Sequence, residues 1–352
     1  MMPITSAFKC CHEKDKSQLF LKLLLHHKKH YKLFLFLFIM IQLIAEPRVV
    51  KTWEQFIKES PPCSIALDGY VSGAPKYQPE GPRLNLNHHE DVDRYSTLCT
   101  SMQAYLKLKL GLFEKFSVNG QPRANIYIND PDQDSSLAAF ILTNPEISLN
   151  IKYQDKLEEL LHYEQLLDIT GGMFPLDMKS KIMQQMAWIF EPYDSVRVSG
   201  KLYSMNADEM KNLMQNIFSR IKAHLDGKSR ELVLDNSYIV LYGKPQDNFV
   251  LVKENSAYSR AKMIRDGIKS FVSLVKENKK IYKYTLGKIS DFIPVPLPEI
   301  YDFLNKFEKI KSDDTDKWGG SQTIGGSPRI KGSKIRPEEL FELIKNYIKN
   351  SK

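Results

Sequence analysis

Cysteine is scarce in this sequence. The 352 residues include four cysteines, at positions 10, 11, 63 and 99, and no two of them form a Cys-x-x-Cys pair. Four cysteines in a chain of this length do not make a disulfide framework, and a reducing, cytoplasmic compartment is the expected location. Cys63 and Cys99 are predicted to be small buried residues rather than nucleophiles.

Several common catalytic signatures are also missing. The sequence contains no Gly-x-Ser-x-Gly nucleophile elbow, no Walker phosphate loop and no Gly-x-Gly-x-x-Gly dinucleotide fingerprint. It shows no convincing internal repeat and no coiled coil. With 42% hydrophobic and 26% charged residues, the composition is that of a soluble globular protein, and 352 residues are enough for two ordinary domains.

No apolar run is long enough to cross a membrane. Leu33–Ala45 has 13 residues, and a transmembrane helix needs about 20. As a signal peptide the segment has an overlong basic region, and Leu43 and Pro47 lie at poor positions around a cleavage site. We favour a start at Met40, with residues 1–39 as upstream sequence or a disordered leader. A membrane or export signal and a genuine N-terminal arm stay open as alternatives, and no stable membrane association is expected.

An excess of positive charge is concentrated in the leader. Residues 1–39 hold seven lysines and two acidic residues, a charge of +5, which leaves +3 of the net +8 for the remaining chain. The basic balance of the whole chain therefore does not argue for nucleic-acid binding through a broad charged surface.

Two acid-rich clusters stand out about forty residues apart. Residues 87–90 read Asn-His-His-Glu and follow Asp68-Gly69, whereas residues 129–136 read Asn-Asp-Pro-Asp-Gln-Asp-Ser-Ser. Imidazoles and carboxylates at such short spacing suit Mn²⁺, or Mg²⁺ in its place, with Zn²⁺ as a further option. The predicted metal ligands are Asp68, His88, His89, Asp130, Asp132 and Asp134. Among them, Asp68, His88, His89 and Asp132 are also the predicted catalytic residues.

The pattern of strands and helices predicts an α/β fold. Ser64–Asp68, Arg83–Asn87 and Ala124–Ile128 are predicted strands, and a helix is predicted to start near Ser135. Strands that alternate with helices indicate a parallel sheet, and ligands bind at the carboxyl ends of its strands. Both acid-rich clusters follow predicted strands directly, so we expect them to meet at that edge.

A smaller α+β domain is predicted to follow. The expected division is a leader at 1–39, a metal domain at 40–195 and a substrate-binding domain at 196–352. Between its last two helices lies a loop with two Gly-Gly-Ser segments and several basic residues, which has the chemistry of an anion-binding loop. The predicted substrate-binding residues are Gly319, Gly320, Ser321, Gly325, Gly326, Ser327, Arg329 and Lys331.

Each of these features has a plainer explanation. The two histidines could simply be solvated. If they do bind metal, neighbouring side chains on a strand point to opposite faces, so one histidine would be a ligand and the other would orient it. The aspartates at 130–134 also fit turn and helix-capping chemistry, and the glycine-rich loop also fits a flexible linker. We favour a helix end over a ligand for Asp168. His162 and Glu164 are predicted to lie on a solvated helix face.

At these residues the chain resembles the DHH phosphoesterase superfamily, named for an Asp-His-His metal motif. Residues 87–89 look like that motif with Asn for Asp, and residues 130–138 are similar to the superfamily's Pro-Asp-x-Asp-Ser motif. Residues 67–71 and 77–80 look like the segment that introduces Asp-His-His in a related branch of nucleases. The likeness is close over residues 64–172 and looser over 318–334, and it extends to a little-described bacterial group with Asn-His-His-Glu and Gly-Gly-Ser-Pro-Arg segments.

The resemblance implies a DHH-like α/β domain with Mn²⁺ in a cleft and a second domain that binds substrate. The implied activity is metal-dependent hydrolysis of a phosphodiester in a small nucleotide or a short oligonucleotide. Asn87 in place of an acidic residue supports the alternative, a non-catalytic nucleotide- or phosphate-binding module that has lost its metals. The chain also carries the Pro-Asp motif after the His-His motif, the reverse of the usual order.

Overall fold

The computed structural model describes residues 41–350, apart from residues 246, 248, 257 and 279. The segment predicted as a leader therefore lies outside the described residues. The first part of the fold begins with a sheet and its surrounding helices. Its elements are β1 (Ile41–Ala45), α1 (Trp53–Glu59), β2 (Ser64–Leu67), β3 (Lys76–Gln78), β4 (Arg83–Leu86), α2 (Thr100–Lys109), α3 (Leu112–Lys115), β5 (Ser117–Val118), β6 (Gln121–Pro122), β7 (Ala124–Ile128), α4 (Gln133–Thr143), α5 (Pro145–Ser148), α6 (Gln154–Ile169), α7 (Lys181–Ser199) and α8 (Ala207–Leu225).

The central sheet has the strand order β1-β7-β2-β4-β3. The first four of these strands run parallel, and β3 joins the edge antiparallel to β4. The predicted parallel arrangement of β2, β4 and β7 is therefore confirmed, within a sheet that is mixed overall. Since the three strands are parallel, their carboxyl ends meet at one edge of the sheet.

Apolar side chains bury both faces of this sheet. On one face, alternate residues of β2, Ile65 and Leu67, pack with the helices α2, α4, α6, α7 and α8. On the other face, Ala66 packs with Phe56 of α1 and with Tyr70 and Tyr127. Strands covered on both sides read as continuous apolar runs, which is the pattern of β2 and β7.

The second part of the fold is built on a six-stranded sheet with the order β12-β13-β11-β10-β9-β8. Two helices, α10 and α11, pack on one face of it. Its elements are β8 (Tyr238–Tyr242), β9 (Val250–Glu254), α9 (Ser259–Arg265), β10 (Ser270–Asn278), β11 (Ile281–Lys288), α10 (Leu297–Phe307), β12 (Gly319–Gly320), β13 (Ile324–Gly326) and α11 (Pro337–Asn350).

The helix before the predicted domain boundary differs most from expectation. Its sequence pattern predicted a helix over Leu176–Phe190, but α7 spans Lys181–Ser199 and continues through the buried Pro192. A proline usually breaks a helix because it lacks an N–H group, which explains the short prediction. The next helix, α8, packs its buried face into the first core, so that core extends beyond residue 195.

The two parts of the fold contact each other directly. The hydroxyl of Tyr95 donates to the carbonyl of Ile289 over 3.2 Å, and the guanidinium of Arg260 donates to the carbonyl of Gly171 over 3.3 Å. Met173 packs among apolar residues of the second sheet. Among the described residues, no helix is both long and apolar enough to cross a membrane.

Candidate metal centre

Asp68 lies at the centre of the cluster, directly after β2. Its backbone adopts a left-handed conformation with φ of 42°, and Gly69 follows with φ of 77°. Non-glycine residues rarely occupy this region, and Asp is among the few that tolerate it. The buried carboxylate accepts hydrogen bonds from Thr100 Oγ1 at 3.2 Å and Ser135 Oγ at 3.1 Å. The turn therefore fixes the carboxylate at the carboxyl edge of the sheet.

The two histidines follow β4, and both rings face Asp68. His89 Nε2 lies 2.7 Å and His88 Nε2 3.4 Å from the same oxygen, Asp68 Oδ1. The His88 side chain is fully buried, whereas that of His89 is 32% exposed. We expected neighbouring side chains to point to opposite faces, but β4 ends at Leu86, so strand alternation no longer applies.

Asn87 organises the turn that carries both histidines. Its Oδ1 accepts the backbone N–H groups of His88 at 2.8 Å and His89 at 3.1 Å. Its Nδ2 donates to the carbonyls of Val71 and Gly73 and to the carboxylate of Glu90. A carboxylate at this position has no hydrogen to donate. Asn87 is therefore a structural residue whose amide the turn requires.

Asp168 joins the cluster from the C-terminal end of α6. Its Oδ2 lies 2.8 Å from His88 Nε2, and Asp134 Oδ2 lies 3.7 Å from the same nitrogen. Two groups of three have ligand atoms within 4.8 Å of one another, namely Asp68 with both histidines and His88 with Asp134 and Asp168. The sequence favoured a plain helix end for Asp168, because nothing in a linear pattern shows what a helix end contacts.

Asp134 also caps a helix. Its two oxygens accept the backbone N–H groups of Thr100 at 2.6 Å and Ser101 at 2.8 Å. These are the first residues of α2, whose N-cap residue, Cys99, provides no side-chain cap. A buried helix start needs acceptors for its free N–H groups, so Asp134 fixes α2 to the cluster.

Asp130 and Asp132 complete the acidic edge. Asp132 is the N-cap of α4 and accepts the N–H of Ser135 at 2.9 Å. Asp130 Oδ1 is buried and has no hydrogen-bond partner among the described residues. Burial and the charge of Asp68 raise the pKa of Asp130, and the guanidinium groups of Arg197 and Arg329 oppose that rise. The helix-capping explanation thus holds for Asp132, while Asp130 offers a free oxygen.

Glu164 is a buried acid that the sequence placed on a solvated face. Glu164 is 2% exposed, and its Oε2 has no hydrogen-bond partner among the described residues. Burial, followed by the charges of Asp134, Asp168 and Asp68, raises its pKa well above the usual value. The prediction for Glu164 was wrong because α6 is covered on more than one side, which its weak amphipathic pattern does not show. His162 on the same helix is exposed, as predicted.

Opposite charges stabilise one another at the core of the cluster. Burial alone would raise the pKa of Asp68, but the charges and hydrogen bonds of His89 and His88 hold it well below its usual range. Burial would likewise lower the pKa of His88, but hydrogen bonds with Asp168 and Asp68 raise it to about 11. The charge of Asp68 also raises the pKa of His89 against the effect of burial.

The remaining carboxyls are crowded. Burial and the charges of Asp168 and Asp68 raise the pKa of Asp134 to about 6. Burial and the charges of Asp68 and Asp130 raise the pKa of Asp132 well above its usual value. So many carboxyls cannot all be ionised at low energy without added positive charge, since like charges disfavour each other's charged forms.

An unpartnered oxygen and the ligand-type atoms around it fit a bound cation. Asp130 Oδ1 is buried and has no hydrogen-bond partner among the described residues, while His88 Nε2 and Asp168 Oδ2 lie 2.8 Å from each other. Buried polar atoms are nearly always hydrogen-bonded unless an ion or water is their partner. A donor set of two imidazoles and several carboxylates matches a hard or borderline divalent cation. The residues present therefore fit a metal, and its identity stays a prediction.

The glycine-rich segment is ordered and forms part of the second sheet. Gly319–Gly320 and Gly325–Gly326 lie in the paired strands β12 and β13. A Cβ atom on Gly325 would come within 2.3 Å of the Tyr301 hydroxyl oxygen, and one on Gly326 within 2.4 Å of the Tyr284 carbonyl oxygen. These glycines permit close packing in the sheet, so the linker explanation is wrong.

The other predicted residues of this segment have different surroundings. Ser321 and Ser327 use their hydroxyls on nearby backbone groups. Lys331 Nζ lies 2.6 Å from Asp314, and the N–H groups of Ile330 and Lys331 donate to Asp316. The chain's own carboxylates therefore occupy this part of the segment, and the Lys331 ammonium group is already paired.

Arg329 differs from Lys331. Its side chain is exposed and forms no ion pair or hydrogen bond with another described residue, while its charge acts on Asp130. Cys63 and Cys99 are buried and unpaired, as predicted.

A comparison with protein-family models gives no match for this chain, and a search of curated proteins gives none either.

Proposed function

We propose that this protein is a metal-dependent phosphoesterase that hydrolyses a phosphodiester in a small nucleotide or a short oligonucleotide. The observation that carries the proposal is the convergence of Asp68, His88, His89 and Asp168 at the carboxyl edge of a parallel sheet. Two loops, a helix end and, through Asp134, the first turn of α4 supply ligand-type atoms to one buried place. Ion pairs within the cluster do not account for Asp130 Oδ1, which is buried without a hydrogen-bond partner among the described residues.

In this proposal the cluster holds Mn²⁺, or Mg²⁺ in its place. Such a cation lowers the pKa of a coordinated water and neutralises charge on the phosphate. Asp68, His88 and His89 would bind it, and Asp134 and Asp168 next to His88 would be further ligands. Asn87 orients the two histidines, and Thr100 orients Asp68. The exposed guanidinium of Arg329 binds the phosphate, since Arg can donate two parallel hydrogen bonds to two phosphate oxygens.

The likeness to DHH phosphoesterases supports the same activity. The two motifs that carry it, at residues 87–89 and 130–136, lie beside each other at the cluster. A cytoplasmic setting stays a prediction from the cysteine content. The alternative, a binding module without metals, rested mainly on Asn87. The hydrogen bonds that the Asn87 amide makes within the turn speak against this reading of Asn87 and in favour of the proposal.

Metal binding is the first test. Mn²⁺ is titrated by calorimetry into the full chain, its His89→Ala variant and a His162→Ala variant as the matched control. His89 contacts Asp68 within the cluster, whereas His162 is exposed on α6. We expect His89→Ala to weaken Mn²⁺ binding by at least about tenfold, as loss of metal-site residues typically does. The control should bind like the parent protein.

Turnover is the second test. Release of nitrophenol from bis(4-nitrophenyl) phosphate, and cleavage of a dinucleotide, are measured with Mn²⁺ and with a chelator. We expect hydrolysis that requires the metal and is lost in an Asp168→Asn variant. Parent protein that binds no Mn²⁺, or hydrolysis that persists in the chelator, would contradict the proposal. Parent protein that binds inorganic phosphate but no Mn²⁺ would favour the module without metals, and tight Mn²⁺ binding without hydrolysis of either phosphodiester would contradict the proposed activity.

A further inference from the structure

The end of α6, which carries Asp168, is bonded to the second part of the fold. Gly171 follows shortly after this helix, and its N–H donates to the carbonyl of Asp168 over 3.0 Å. The carbonyl of the same Gly171 accepts a hydrogen bond from Nη1 of Arg260, in α9, over 3.3 Å. Arg94, from the loop after the histidines, also donates to the Asp168 carbonyl, over 2.8 Å. Gly171 therefore links the helix end of the metal cluster to a side chain of the second part.

A buried ion pair fixes Arg260 itself. Its Nε and Nη2 atoms lie 3.3 Å and 3.2 Å from the two carboxylate oxygens of Glu254, at the end of β9. The side chains of Arg260 and Glu254 are 8% and 5% exposed. A guanidinium group is a planar fork of five donors, so it can bind a carboxylate with two nitrogens and still donate from the third. The pairing with Glu254 thus leaves Nη1 for the carbonyl of Gly171.

Close packing accompanies this hydrogen bond. Gly171 has a left-handed backbone with φ of 60°, and a Cβ atom on it would come within 2.9 Å of Cδ1 of Ile324, in β13. Met173, two residues further on, is fully buried among apolar residues of the second sheet, including Val250 and Phe271. The segment after Asp168 is therefore docked on the second part by packing as well as by a hydrogen bond.

The position of this ion pair distinguishes it from an ordinary structural pair. A buried ion pair is by itself weak evidence for any special role. Here, however, the third nitrogen of the guanidinium reaches the helix end at which Asp168 Oδ2 lies 2.8 Å from His88 Nε2. Gly171 and Gly172 both have a left-handed backbone, and glycine restricts its own conformation less than any other residue. Contacts from outside the segment must therefore hold this helix end in place.

We propose that Arg260 is a positioning residue for the metal centre, because it fixes through Gly171 the helix end that carries Asp168. This inference rests on the proposed function in taking Asp168 as a metal ligand. The turn with the two histidines belongs to the first part of the fold, whereas the place of the Asp168 carboxylate depends on the second part. The ligand set is therefore complete only while the two parts are docked on each other.

The Mn²⁺ affinity of the full chain tests this role with two independent variants. Arg260→Lys keeps a positive charge beside Glu254 but lacks the fork that also reaches Gly171. Gly171→Ala leaves the ion pair in place and disturbs the packing at the other side of the same link. We expect each variant to weaken Mn²⁺ binding at least about fivefold, since loss of the groups that orient a metal ligand typically costs that much or more. Parent-like affinity in both variants would overturn the inference.

Two matched controls exclude unspecific effects of the substitutions. Arg265→Lys changes an arginine on the same helix whose side chain is 52% exposed. Gly200→Ala changes a left-handed glycine at the end of α7, where no described atom lies within 4 Å of the added Cβ. Both controls should bind Mn²⁺ within about twofold of the parent.

A second comparison separates positioning from general damage. Arg260→Lys is added to an Asp168→Asn variant, and Mn²⁺ affinity is measured again. If Arg260 acts through the Asp168 carboxylate, the added substitution changes the affinity by less than about twofold, because substitutions in one coupled unit are not additive. The absorption bands of bound Co²⁺, which report coordination geometry, should change in the same way in both single variants. An equal loss of affinity with and without the Asp168 carboxylate would overturn the inference.

Hydrogen exchange of the metal-free chain in EDTA separates this inference from the proposed function. The N–H groups of Gly171 and Gly172 donate to carbonyls of α6. We expect both to exchange at least about fivefold faster in Arg260→Lys than in the parent, with α8 unchanged. If the parent binds no Mn²⁺, the proposed function fails, and faster exchange still assigns to Arg260 the fixing of Asp168 beside His88. Exchange that matches the parent overturns the inference whether or not the chain binds Mn²⁺.

Discussion

Replacing Asn87 by aspartate is the most direct test of how the histidine turn is built. Family resemblance alone predicts that Asn87→Asp restores a missing ligand and strengthens metal binding. The structure predicts the opposite, because Asn87 Nδ2 donates to Val71 O at 3.2 Å, to Gly73 O at 3.0 Å and to Glu90 Oε2 at 2.8 Å. A carboxylate cannot make any of these three hydrogen bonds.

The expected cost follows from those contacts. The carbonyls of the buried Val71 and the half-buried Gly73 lose the hydrogen bond from the Asn87 amide, at about 1 kcal/mol each. The new carboxylate would also face Glu90 at hydrogen-bond distance, and this repulsion adds about 1 kcal/mol because Glu90 is exposed to solvent. The total of about 3 kcal/mol is a large share of the stability of a typical domain, which is about 5–15 kcal/mol.

The assay is urea unfolding of the metal-free protein, combined with Mn²⁺ calorimetry. We expect Asn87→Asp to lower the free energy of unfolding by about 3 kcal/mol and to weaken Mn²⁺ binding, since the turn that positions both histidines is disturbed. Adding Glu90→Gln to this variant should recover about 1 kcal/mol by removing the repulsion. Unchanged stability together with tighter Mn²⁺ binding would refute the reasoning and restore the lost-ligand explanation.

Three further predictions concern the buried charges. Glu164→Gln should stabilise the metal-free protein at pH 7 but not near pH 4. Folding raises the pKa of the Glu164 carboxyl, so the parent protein becomes less stable as pH rises above the pKa of that group in the unfolded chain, whereas an amide does not titrate. Equal unfolding free energies for the parent and the variant at both pH values would contradict this. Mn²⁺ binding should release protons and tighten as pH rises from 6 to 8, because the pKa of His88 is about 11 without metal. Calorimetry in two buffers of different ionisation enthalpy measures the proton release. A binding enthalpy that does not depend on the buffer would argue against it. Asp134→Ala should lower the free energy of unfolding in urea by about 3 kcal/mol. The reason is that the buried N–H groups of Thr100 and Ser101, at the start of α2, lose their acceptors. An unchanged unfolding midpoint would show that α2 does not depend on this cap.

Local patterns were sufficient to find the strands that position the site. Ser64–Leu67 and Ala124–Ile128 form strands where short apolar runs predict them, and Arg83–Leu86 forms one where polar and apolar residues alternate. Helix α8 spans Ala207–Leu225, where apolar residues recur at helical spacing and Asn206 caps the start. Parallel pairing followed from the alternation of strands and helices. The edge at which the acidic clusters meet could therefore be predicted.

The sequence by itself determined which side chains follow the strand ends, because the order of residues after a strand is a local property. The tertiary structure alone decided that Asp168 joins the cluster and that Glu164 is buried, since helix packing brings both to their places from distant sequence. It also decided that the Asn87 amide serves the turn and that Lys331 is paired with Asp314. Whether a polar group is free or satisfied depends on partners elsewhere in the chain, and only the folded structure supplies those partners.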